Sequence, residues 1–127
     1  MQDLYRFAGS GVVYLARVDT IRPVYKYGIS RDIYKRIISS HQKTFPIFDL
    51  QHVAPTNNRE IVEKFLTLEL KYRKIHHKEK YSGKMQRELI LLKNSDHIDE
   101  IKNLIDRIII FTNQNNFQFL DIEDTEY

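Results

Sequence analysis

Four polar residues of this 127-residue chain stand out by type and spacing. Tyr14 closes the short run Gly11-Val-Val-Tyr14, and Lys26 sits within Tyr25-Lys-Tyr-Gly28. Arg36 follows Asp32 by four residues, and Glu63 stands later in a separate apolar-periodic stretch. A guanidinium matches phosphate oxygens with paired donors. Mg²⁺ prefers carboxylate oxygen and keeps several waters, so one glutamate plus substrate oxygens can hold it. Phosphodiester hydrolysis needs an activated water, neutralisation of a pentavalent phosphate and help for the departing oxygen. Two polar strand residues and one residue from each of two helices, converging in a concave basic site, could supply all three. Each residue also has an ordinary explanation: Tyr14 as a core tyrosine, Lys26 as a solvated strand lysine, Arg36 paired with Asp32, and Glu63 paired with Arg59. Glu60 and Glu69 have Lys64 and Arg73 four residues on, the better helical orientation, and so read as structural. The joint pattern, not any member, carries the signal.

The elements that must position these residues are legible in outline. Residues 11–18 are dense in β-branched and aromatic types and predict a strand. After a turn at 19–23, Val24-Tyr-Lys-Tyr-Gly-Ile29 predicts the returning strand of a hairpin. Gly28 within it suggests the close approach of another backbone. Ser30 and Asp32 are N-cap types, and Ile33, Ile37 and Ile38 follow at helical spacing, giving a short helix over 31–40 that Pro46 keeps from extending. A third strand is expected over 47–53. A longer helix is expected over 59–75, with Ile61, Val62, Phe65, Leu66, Leu68 and Tyr72 on its apolar face. Residues 73–87 read as a basic, turn-like stretch, and a last helix runs from a cap at Ser95 or Asp96 to about Phe111. The class is α+β with a small, mainly antiparallel three-stranded sheet flanked by helices, plus an additional C-terminal helix. One domain is expected over 9–95, with 96–127 forming a helix and acidic tail packed on or extending it.

In order and spacing these motifs resemble the GIY-YIG nuclease family over about residues 11–70, closest to its phage and large-virus branch, where the second motif commonly reads Lys-x-Gly. The resemblance implies a metal-dependent endonuclease that uses one Mg²⁺ or Mn²⁺ ion on DNA. It implies that Tyr14 helps activate the attacking water and that Lys26 shares the acid–base duty, given a pKa lowered by burial or a nearby cation. Arg36 would contact the scissile phosphate, and Glu63 would hold the metal. The sequence departs from the family pattern in reading Val12-Val13-Tyr14 in the first motif. In the second, Lys26 stands in the tyrosine position with Tyr25 and Tyr27 as flanking alternatives. Many members place an asparagine late in the domain; Asn94, Asn103 and Asn113 are all candidates here, and none is assigned.

Charge and composition frame the partner. Residues 1–95 carry a balance of +9 and residues 96–127 a balance of −6, so the net +3 conceals a basic body and an acidic end. A basic surface concentrates polyanions. His41 and Lys35 near the first helix, and Arg73, Lys74, Lys78, Lys80 and Lys84 in the basic stretch, are the candidate nucleic-acid contacts, with double-stranded DNA the expected partner. Asp121, Glu123, Asp124 and Glu126 suggest a phosphate-mimicking tail that competes for the basic site. With no cysteine, disulfides, thiolate metal sites and cysteine nucleophiles are excluded. No apolar run approaches the roughly 20 residues of a membrane span, and a soluble intracellular protein, of viral or phage type on the resemblance, is expected. The main alternative function is a nucleic-acid-binding module of the same fold without catalysis; a protein-interaction domain that echoes the motifs is the third.

Overall fold

The computed structural model describes residues 11–115. The chain opens with the hairpin β1 (Val12–Arg17) and β2 (Val24–Ser30), antiparallel with Tyr14 opposite Gly28 and Ala16 opposite Lys26. Asp19 organises the turn between them, accepting from the backbone N–H of Ile21 and Arg22 and from the hydroxyl of Tyr81. Asp32 then caps α1 (Ile33–Arg36) by accepting from the N–H of Lys35. The helix continues through a π-helical segment (Ile37–His41) into α2 (Gln42–Thr44) and stops before Pro46. Strand β3 (Asp49–Pro55) returns beside β1, and α3 (Arg59–Tyr72) crosses one face of the sheet.

The sheet has five strands, in the order β3-β1-β2-β5-β4, with every neighbouring pair antiparallel. The expected three-stranded sheet is therefore corrected. The basic stretch read as turn-like is the hairpin β4 (His76–Tyr81) and β5 (Lys84–Leu91). Its two-residue loop is signalled by Ser82 and Gly83, both at positive φ as the mirror-image hairpin turns require. Its strands look unlike strands because β4 is an edge and most of the ribbon faces water, so lysines alternate where β-branched residues would sit in a covered strand.

The two faces of the sheet are covered differently. On one, Val13, Leu15, Tyr25 and Tyr27 pack with Val62, Leu66 and Leu70 of α3 and with Ile101, Leu104 and Ile105 of α4 (Ile98–Asn115). The C-terminal helix thus shares the main core. On the other face, Val12 and Tyr14 pack with Ile33 and Ile37, while Val18 and Val24 pack with Phe45, Tyr81 and Leu89. Smaller expectations also shift. Tyr72, expected on the apolar face of α3, is 83% exposed because the helix ends there, and Ile38 is exposed on the outer side of the π segment. Asn94, not Ser95 or Asp96, caps the final helical run, accepting from the N–H of Asp96 at the start of a 3-10 turn (Ser95–His97). The acidic residues beyond 115 lie outside the described residues. Among the described residues, no helix is long and apolar enough to cross a membrane.

Candidate active site

Alternation along β1 and β2 sends Tyr14, Lys26 and Gly28 to the face covered by α1 and the π segment. Tyr25 and Tyr27, the flanking alternatives, go to the α3 side; Tyr27 shares a 2.7 Å hydrogen bond with Thr67 there. Gly28 is required by a side chain, not by the backbone expected. A Cβ at this position would lie 2.7 Å from the Tyr14 hydroxyl oxygen, so the absent side chain leaves room for the phenol ring.

The phenol meets His41, whose Nε2 is 2.7 Å from the Tyr14 oxygen. The π segment puts His41 on the same inner side as Ile37, and its ring stacks on Phe48 with centroids 4.6 Å apart. His41 is 5% exposed, a buried partner of Tyr14 at the base of the site. Burial, with the charges of Lys26 and Arg36, lowers its pKa to about 4, so the imidazole is neutral near pH 7. In the tautomer with its proton on Nδ1, it accepts the phenol proton. Burial pushes the Tyr14 hydroxyl well above its ordinary range, while the Arg36 guanidinium beside it pulls the other way.

Lys26 is almost wholly buried, and its Nζ lies 3.2 Å from Glu88 Oε1. Glu63 comes from α3, on the other side of the sheet. It reaches this group where the sheet is incomplete: pairing of β2 with β5 ends at Lys26–Leu89, although β2 runs on to Ser30. At that gap the carboxyls of Glu63 and Glu88 lie within hydrogen-bonding reach of one another. Burial raises the pKa of Glu63, and the neighbouring Glu88 raises it further. Burial works in the same direction on Glu88, but the hydrogen bond with Glu63 and the charge of Lys26 outweigh it and hold Glu88 in the ionised form.

A cleft of about 340 Å³ lies between Arg36, Ser40, His41 and Thr44 on one wall and residues 85–88 of β5 on the other, with Lys26 in its lining; Tyr14 and Glu63 are not among its lining residues. Glu88 is the residue that sequence reasoning missed. It lies in the polar half of β5, an interior strand, at no motif position, and only pairing of β5 beside β2 brings it to the cleft. Asn94, Asn103 and Asn113 are absent from the cleft lining; Asn94 is a cap, and Asn113 bonds Asn58.

The cationic residues distribute unevenly. Lys35 is exposed on α1, and Lys78, Lys80 and Lys84 are exposed on the β4–β5 ribbon. Arg73 pairs with Glu69 and lines a hollow between α3 and α4, on the side of the sheet away from the cleft, while Lys74 is exposed just beyond α3.

Among the described residues, no group of three or more histidine, aspartate or glutamate side chains is arranged to hold a metal ion. A single carboxylate such as Glu63 suits a hard cation that retains waters and substrate oxygens, not a zinc site built from three protein ligands. Comparisons with protein-family models, with curated proteins and with solved structures found no match.

Proposed function

We propose that the chain is a metal-dependent endonuclease hydrolysing phosphodiester bonds in DNA, of the GIY-YIG type that its motifs resemble. The observation that carries this reading is the grouping of Tyr14, Lys26, Arg36 and Glu63, the four residues of the motif resemblance: Lys26 and Arg36 line one cleft, Tyr14 and Glu63 lie near enough to interact electrostatically with them, and the four come from four elements on both sides of the sheet. A purely structural tyrosine or glutamate has no reason to join such a set, and pKa values pushed apart in a cleft are a mark of acid–base sites.

In this reading Tyr14 accepts a proton from the attacking water as its own moves to His41 Nε2, the hydrogen bond already being in place. His41 is neutral near pH 7 and so offers Nε2 as the acceptor, and its lowered pKa makes it a weak base that holds the proton only transiently. Arg36 and Lys26 neutralise the charge that gathers on the phosphorus oxygens, with the guanidinium also favouring the phenolate form of Tyr14. Glu63 would hold Mg²⁺ or Mn²⁺. When bound, the ion would supply Lewis-acid stabilisation of the departing oxygen. Exposed Lys35 and Lys84, next in sequence to the cleft residues Arg36 and Met85, suit backbone phosphates.

The test is nicking of supercoiled plasmid with Mg²⁺ or Mn²⁺ by the wild type, Glu63→Ala and Arg36→Ala, each checked for folding by circular dichroism. Metal-dependent nicking by the wild type alone is expected. Folded protein that binds DNA in a salt-sensitive way without nicking would point to a non-catalytic module, and equal nicking by all three would remove these residues from the chemistry.

A further inference from the structure

Glu88 belongs to none of the motifs, yet its position is specified with care. Two steps along β4, from His77 to Glu79, are matched by three along β5, from Leu89 back to Gln86. The extra residue is a β-bulge, which breaks strict alternation and turns a side chain from its expected direction. The bulge falls where the β2–β5 ladder stops, so Glu88 is the first residue of β5 beyond the paired region. Its carboxylate meets Lys26 Nζ at 3.2 Å, with the lysine side chain 6% exposed and the glutamate 41% exposed. A buried ammonium is strongly disfavoured without an anion. Two carboxylates could serve, because Lys26 also acts electrostatically on Glu63. The four-carbon lysine stem is flexible enough to choose either.

We infer that Glu88 is a positioning residue: its bulge-presented carboxylate fixes the Lys26 ammonium on the cleft wall and keeps it from collapsing onto Glu63. This rests on the endonuclease reading and deepens it. Lys26 would face the phosphate under attack, and Glu63 would remain open to a cation. Glu88 touches Lys26 and Glu63 and acts through them.

The experiment compares wild type, Glu88→Gln, Lys26→Met and the double variant. Glutamine keeps the size and an acceptor but not the charge. Single-turnover cleavage of saturating duplex DNA with Mg²⁺ gives the rate, and titration of labelled DNA without metal gives the affinity. Glu88→Gln is expected to slow cleavage by about 10- to 100-fold, the usual range for loss of a partner that orients a site residue, with DNA affinity unchanged within about twofold. The double variant is expected to be no slower than Lys26→Met alone, because both changes disable one unit. Wild-type cleavage by Glu88→Gln, or costs that multiply in the double variant, would overturn the inference.

A second readout needs no activity: the Lys26 ammonium signal in ¹⁵N NMR spectra of selectively labelled protein. It should be sharp in the wild type, where the ion pair slows proton exchange, and shifted or broadened in Glu88→Gln. An unchanged signal overturns the positioning role even in an active enzyme. An inactive wild type whose signal responds as expected would refute the endonuclease reading while leaving the pair standing.

Discussion

Replacing Gly28 by alanine sets one added methyl group against the Tyr14 ring. The new Cβ would lie 2.7 Å from the phenol oxygen, 2.9 Å from Cζ and 3.1 Å from Cε2. Relaxed carbon contacts are about 3.5–4.0 Å. The ring would have to retreat by most of an ångström, and little room exists. It is 1% exposed, it is hydrogen-bonded to His41, and both rings contact Phe48. Overpacking of this kind costs about 1–3 kcal/mol, and loss of the Tyr14–His41 hydrogen bond adds about 1 kcal/mol. The expected destabilisation is therefore about 2–4 kcal/mol, or a fall of roughly 8–16 °C in Tm for a domain of this size. Among the described residues the only glycine at positive φ is Gly83, so alanine at 28 meets no backbone strain and the cost is steric. Urea denaturation followed by far-UV circular dichroism measures it, with an unchanged m value as the check on two-state behaviour. The decisive control is Gly28→Ala in a Tyr14→Val background. With the ring gone, alanine in a strand is expected to be neutral or to stabilise by about 0.5–1 kcal/mol. A single variant within 0.5 kcal/mol of wild type, measured on the scale expected for ordinary surface changes, would refute the reasoning. So would a cost that persists without the tyrosine.

Two further outcomes follow from protonation. His41 titrates at about 4 in the folded chain, against about 6.5 when unfolded. The unfolded state therefore takes up the proton first as pH falls, and stability present above pH 6.5 is lost progressively towards pH 4. The slope is at most about 1.4 kcal/mol per pH unit. His41→Gln, which retains an acceptor for Tyr14, should flatten that part of the stability profile, and denaturation at pH 4.5, 5.5 and 7 reads the difference. The raised pKa of Glu63 has the opposite sign. The folded chain keeps a proton the unfolded chain has released, so stability falls as pH rises above the ordinary carboxylate range. Glu63→Gln should match the wild type near pH 4, exceed its stability by about 1–3 kcal/mol at pH 8, and abolish nicking at both. A variant less stable than wild type at pH 8 would contradict the buried-carboxyl account.

The sequence by itself determined the first hairpin, the capped helix after it, the long helices and the α+β class. In these segments local chemistry and burial agree: β-branched runs, the Asp32 cap and isoleucines at helical spacing all reflect the face each element hides. It also singled out Tyr14, Lys26, Arg36 and Glu63, through the order and spacing of motifs that resemble a nuclease family. Only the tertiary structure decided what surrounds them. The β4–β5 ribbon is solvated on most of its surface, so its strands carry no apolar alternation to read, and its five-stranded sheet emerged only on pairing. Glu88 depends on a bulge and on the point where one ladder ends, both set by strand register between segments more than 60 residues apart in the case of Lys26 and Glu88. The inward turn of His41 depends on a π segment, a local change in winding that leaves the pattern of isoleucines unchanged. Burial and cross-strand pairing are properties of the assembled sheet, and it is they that bring Tyr14 to His41, Lys26 to Glu88 and Glu63 to both.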